Sequence, residues 1–172
     1  ITINPTPVVQ VPANQVICNA NLSNAVNFSG NGTGYAWTNS NPSVGLAASG
    51  NGNIASFTTT NATTNPVVAT ITVSPSFAGG NASCPGSPQS FTITVNPTPV
   101  VDPINSQVLC AGTPTQAVAF TGTGTSYAWA NNTVGIGLVA SGNGNIASFN
   151  ATNASSSNPL VGTITVTPQY AN

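Results

Sequence analysis

Apolar and polar residues alternate along several short stretches of this chain. In Phe91-Thr92-Ile93-Thr94-Val95 the apolar side chains fall on one face and the threonines on the other. A period of two is the pattern of a half-buried β-strand. The stretch Val68 to Val73 repeats it, with Ala69, Ile71 and Val73 pointing one way and Thr70 and Thr72 the other. Val161 to Val166 matches that stretch. Further strand-like segments are Ala25 to Phe28, Gly34 to Trp37 and the run beginning at Ile54. Gly, Pro and Asn punctuate the intervals as turns. Strong helix formers are few or missing, so the pattern predicts an all-β chain.

The pattern also recurs as a whole. Ser-Gly-Asn-Gly-Asn-Ile-Ala-Ser-Phe runs from Ser49 to Phe57 and returns unchanged from Ser141 to Phe149, an offset of 92 residues. Gln15 to Cys18 matches Gln107 to Cys110, and Tyr35-Ala36-Trp37 matches Tyr127-Ala128-Trp129. A period of this length suits a small β-sandwich domain, not a short solenoid unit. Tyr35, Trp37, Phe57, Tyr127, Trp129 and Phe149 are the expected core. A Trp on a central strand fills the middle of an immunoglobulin-like sandwich. The competing reading of the Tyr/Trp pair is a sugar-stacking platform. Ser49 to Asn53 reads as a turn, because Gly and Asn tolerate positive φ, and Ile54 opens the next strand.

Asn4-Pro5-Thr6-Pro7 and Asn96-Pro97-Thr98-Pro99 stop the strands before them and read as short stiff connectors. The predicted organisation is residues 1–4 as the last strand of a preceding repeat, 5–96 as a first repeat, and 97–172 as a second repeat lacking its final strand. Gly80 to Thr92 has no counterpart in the second copy. The chain therefore reads as a window on a longer array. The open edge would be completed by its own chain, or by Ile1 to Ile3 donated from a neighbouring copy.

Composition removes most chemistry. The 172 residues carry one charged side chain, Asp102, and no Lys, Arg, His or Met. Phosphate neutralisation needs cationic side chains, so nucleic acid is not an expected partner. Acid–base and nucleophilic catalysis lack their bases, so no catalytic residue and no enzyme activity are expected. A calcium site needs several carboxylates, and a zinc site needs clustered Cys or His. No metal and no cofactor are expected. No apolar run reaches the roughly 18 residues of a membrane-spanning helix, so no membrane insertion is expected in this segment.

Three cysteines remain. Cys18 and Cys84 fall in one unit, and their positions predict a disulfide, with Cys110 pairing beyond Asn172. The alternative is three reduced thiols. A disulfide would place the protein in an oxidising, extracellular setting. Asn-x-Ser/Thr sequons occur at Asn21, Asn27, Asn31, Asn61 and Asn150.

Taken in order, Asn-Pro-Thr-Pro, Cys, Tyr-Ala-Trp, Val/Ile-Gly-Leu, the nine-residue repeat, Asn-Pro and Thr-Ile-Thr-Val resemble the PKD-like, immunoglobulin-like repeats of giant Bacteroidetes surface proteins. These include the gliding-motility adhesins of the SprB type. The resemblance implies tandem antiparallel β-sandwich domains, export by type IX secretion, and a long filament on the cell surface. The expected function is then a structural segment of an adhesive filament or stalk. Its partners would be neighbouring repeats of the same chain or like subunits. A second reading is a module binding surface glycans through exposed Tyr or Trp. A third is ice or mineral binding by outward threonines such as Thr58 to Thr60, a row that Asn150-Ala151 breaks in the second copy.

Overall fold

A computed structural model describes residues 1–170. It is nearly all-β and sandwich-like, with antiparallel pairing dominant. The chain divides into two compact units, Ile1–Thr98 and Pro99–Asn172.

In the first unit, β1 (Gln15–Cys18), β2 (Gly34–Asn39), β3 (Ser49–Asn51), β4 (Val67–Gly79), β5 (Ala82–Pro85) and β6 (Gln89–Asn96) form one sheet. Its order is β1-β6-β4-β2-β3, with β5 paired to the far end of β4. All neighbours are antiparallel except β1 and β6, which run parallel with Gln15 beside Ile93 and Cys18 beside Asn96.

Ala69, Ile71 and Val73 of β4 and Ile93 and Val95 of β6 have no exposed surface, and Phe91 is 2% exposed. The alternating positions Thr70 and Thr72 are exposed and half-buried. This period-two burial gives the sheet one dry face. The dry face packs on a second layer held by isolated bridges, Val9 to Gly30, Leu22 to Thr58 and Val26 to Ile54. Val9, Val26, Phe28, Leu46 and Ile54 of that layer close the core. The runs at Ala25 and Ile54 therefore pair at single points and do not extend into full strands.

The second unit repeats part of this plan. β7 (Ser126–Asn131) lies between β8 (Ser141–Asn143) and β9 (Ile164–Gln169) in a three-stranded antiparallel sheet. β7, β8 and β9 correspond to β2, β3 and the middle of β4, and Trp129 faces Val166 as Trp37 faces Val73. The bridges Val101 to Gly122, Pro114 to Asn150 and Val118 to Ile146 rebuild the second layer. The segment Gln107 to Cys110, counterpart of β1, is exposed and forms no strand among the described residues.

Residues 1–3, expected to belong to a preceding repeat, form no strand within this unit. Ile1 and Ile3 are fully and 86% exposed, and Asn4 Nδ2 donates to the carbonyl of Gly79 at 2.8 Å.

Candidate functional site

Two features stand out at the level of side chains: a corner built twice, and a groove in the second unit.

The corner is the nine-residue repeat. Its first three residues are not a turn. Ser49 to Asn51 forms β3, with Gly50 opposite Trp37. A Cβ on Gly50 would lie 2.3 Å from Trp37 Cζ2, so the indole occupies the space a side chain would need. Gly142 and Trp129 repeat this at the same 2.3 Å. The reversal comes one step later, where Gly52 takes φ +72°. The Gly52 carbonyl accepts the Trp37 indole N–H at 3.1 Å. Asn53 Oδ1 then accepts the Phe28 amide at 3.0 Å, and Asn145 Oδ1 accepts the Phe120 amide at 2.9 Å. Ile54 is 2% exposed and bridges Val26. Ser56 Oγ donates to the Ser23 carbonyl at 2.6 Å, and the Phe57 amide donates to Ser23 Oγ at 3.1 Å.

The aromatic residues sit around this corner. Trp37 and Trp129 are 7% and 8% exposed. Tyr35, Phe57, Tyr127 and Phe149 are half-buried against the two cores. Phe28 tilts against Tyr35 with centroids 5.8 Å apart, and Phe120 against Tyr127 at 5.7 Å. Buried indoles offer no stacking face, which removes the tryptophans from any sugar platform. The threonine row fares no better, since Thr59 is fully buried and donates to the carbonyls of Cys18 and Asn21.

Sequence reasoning missed a set of buried amides. Asn39 Nδ2 donates to the Leu46 carbonyl at 2.9 Å and its Oδ1 accepts the Asn41 amide at 2.9 Å. Asn131 repeats this with Leu138 and Thr133. The recurrence of both at one offset after Trp was the available signal. Asn61, read as a sequon, is 6% exposed and its Nδ2 donates to the carbonyls of Asn65 and Val95. A glycan on that nitrogen is incompatible with the folded unit.

The cysteines are not brought together. Cys18 lies beside Asn96, level with the start of β4, while Cys84 lies beside Phe77 near the end of β4. Ten positions along an extended strand span roughly 30 Å. A disulfide needs Cα atoms within about 7 Å. The predicted Cys18–Cys84 bond is therefore corrected: both are free, half-buried thiols. Cys110 is a free, exposed thiol, and its expected partner beyond Asn172 lies outside the described residues.

The groove lies in the second unit. It is an opening of about 660 Å³ walled by Leu109, Ile136, Leu160, Gly162, Ile164 and Val166, among others. The counterparts of these walls in the first unit hold β6. Leu109 and Leu160 are 43% and 41% exposed, and Val161 is 75% exposed. Asn153, counterpart of Asn61, donates to the Asn158 carbonyl at 2.9 Å.

Among the described residues no three His, Cys, Asp or Glu side chains gather as a metal site. No helix among them is long and apolar enough to cross a membrane. No protein-family model matches the sequence, and no curated protein matches it.

Proposed function

We propose that this chain is a structural repeat segment of a long extracellular surface filament or stalk, in the manner of PKD-like adhesin repeats used in attachment or gliding. The observation that carries the reading is the duplicated corner. One nine-residue sequence makes the same strand, the same reversal and the same close glycine–indole approach in two successive units. Selection for a ligand site would favour exposed chemistry at those positions, whereas here Gly50, Asn53, Ile54, Ser56 and Phe57 of the repeat serve internal packing and hydrogen bonds. The Pro-containing connectors and the nearly uncharged surface suit a long tandem array, because neighbouring units do not repel one another. Neighbouring repeats, in the same chain or in like subunits, are the partners this reading requires.

Antibodies raised against the chain test it. Immunogold labelling of the source cells should decorate thin filaments outside the cell envelope. Label confined to the cell interior would overturn the proposal.

A further inference from the structure

Asn-Gly occurs in three places, at Asn31-Gly32, Asn51-Gly52 and Asn143-Gly144. In such a pair the glycine nitrogen can attack the side-chain carbon of the asparagine before it, since no Cβ hinders the approach. Folding treats the three pairs differently. The Gly52 amide donates to the Tyr35 carbonyl and the Gly144 amide to the Tyr127 carbonyl, both at 2.8 Å. A nitrogen held in such a bond is withheld from attack. The Gly32 amide has no hydrogen-bond partner among the described residues. We propose that Asn31 is a self-modification site, where the chain converts its own side-chain amide into a carboxylate through a cyclic imide with Gly32. This stands apart from the filament reading.

The electrophile is prepared as well as the nucleophile. Asn31 Oδ1 accepts the Val8 amide at 2.6 Å, and Nδ2 donates to the Thr6 carbonyl at 3.5 Å. The Val8 donor is held in place by its neighbours. Val9 bridges Gly30, and the Gln10 amide donates to the Ser29 carbonyl at 2.9 Å. When the Gly32 nitrogen attacks Cγ, negative charge gathers on Oδ1. A backbone N–H already aimed at that oxygen stabilises the intermediate. Asn51 and Asn143 are exposed, and their side chains make no hydrogen bond among the described residues.

The second unit shows that the brace at this place does not need asparagine. Thr123 stands where Asn31 does, and its Oγ1 accepts the Val100 amide at 3.0 Å. The Gly124 amide there donates to the Val100 carbonyl at 3.4 Å. A hydroxyl therefore suffices for support, and the Asn-Gly pair adds reactivity.

The reaction needs only water. The Gly32 nitrogen bonds to Asn31 Cγ and gives its proton to solvent. The Cγ–Nδ2 bond breaks, and ammonia leaves with a proton taken from solvent. Water then opens the imide at either carbonyl, giving aspartate or isoaspartate at position 31. Both products place a carboxylate beside the segment 6–8, in a chain whose other side-chain charge is Asp102 alone.

The test follows acid formation at each asparagine by peptide mass spectrometry, with the full chain kept folded in mildly alkaline buffer. A second sample is unfolded in urea. In the folded chain Asn31 should convert about tenfold faster than Asn51 and Asn143, whose glycine amides must first break a hydrogen bond. In urea the three rates should converge. Val8→Pro removes the donating N–H and should slow Asn31 several-fold, while a slow rate kept at Asn51 verifies that the variant is folded. Asn31→Thr installs the residue of the second unit, and the more acidic form seen on anion exchange should disappear. Four results would overturn the proposal: equal rates in the folded parent, a folded Val8→Pro chain that converts as fast as the parent, an acidic form that persists in Asn31→Thr, or a glycan occupying the Asn31 amide in chain taken from its source cells. None of them would bear on whether cells display the chain in filaments.

Discussion

A methyl group at position 50 would sit 2.3 Å from the indole of Trp37. No rotamer of Ala relieves that contact, so the indole or the β2–β3 ladder must move. Overpacking of this kind costs about 1–3 kcal/mol, and displacing the indole also strains its bond to the Gly52 carbonyl. Gly50→Ala should therefore destabilise the first unit by about 2 kcal/mol or more, read as a lower denaturant midpoint by Trp fluorescence. Ser49→Ala, one residue away and exposed, should stay within about 0.5 kcal/mol of the parent. The two tryptophan seats are not equal, however. The buried Nε1 of Trp129 finds no acceptor, whereas that of Trp37 does. A buried unpaired donor costs about 1–3 kcal/mol, which weakens the second seat.

At the scale of elements, β6 separates the two units. Phe91, Ile93 and Val95 are buried to 2% exposure or less, and each contributes about 1.5–3 kcal/mol by leaving water. Among the described residues, the first unit holds thirteen buried apolar side chains in its core and the second holds four. Hydrogen exchange should therefore be slowest in β4 and β6 and measurably faster in β9, with the second unit opening at lower denaturant. Equal protection of β4 and β9 would contradict this account.

The alternation of β4 and β6 was legible because one face of each strand is dry, which stamps a period of two on the sequence. The nine-residue repeat was legible as a repeat but not as a shape. Its glycines suggested a turn by local composition, yet Gly50 is there for a nonlocal reason, the indole across the ladder. The cysteines failed for a related cause. Corresponding positions in a repeat fix topology, not distance, and the length of β4 keeps Cys18 from Cys84. The walls of the groove became visible only once Leu109 and Leu160 could be placed around one opening.

For the whole molecule, the consequence of composition is electrostatic silence. Asp102 is the one side-chain charge, exposed, with its Oδ2 accepting the Thr121 hydroxyl at 2.7 Å. Screening has almost nothing to act on. The melting temperature should shift by no more than about 1–2 °C between roughly 0.05 and 0.5 M sodium chloride, followed by circular dichroism. A shift several times larger would mean that the fold depends on charges beyond this one.

The parallel pairing of β1 with β6 has a mechanical consequence. β1 comes near the start of the first unit and β6 near its end, and they lie side by side over four residue pairs. Because the two run the same way, tension on the unit's two ends drags them past each other along their length. The bridging hydrogen bonds then share the load together, whereas an antiparallel pair would open one bond at a time. Pulling single molecules should show a distinct high-force rupture for the first unit and yielding at much lower force for the second. Adding a proline at Ile17 removes one amide from the ladder and should abolish the high peak. A tether exposed to flow would gain from such a clasp, since it stays shut under the stress its position imposes.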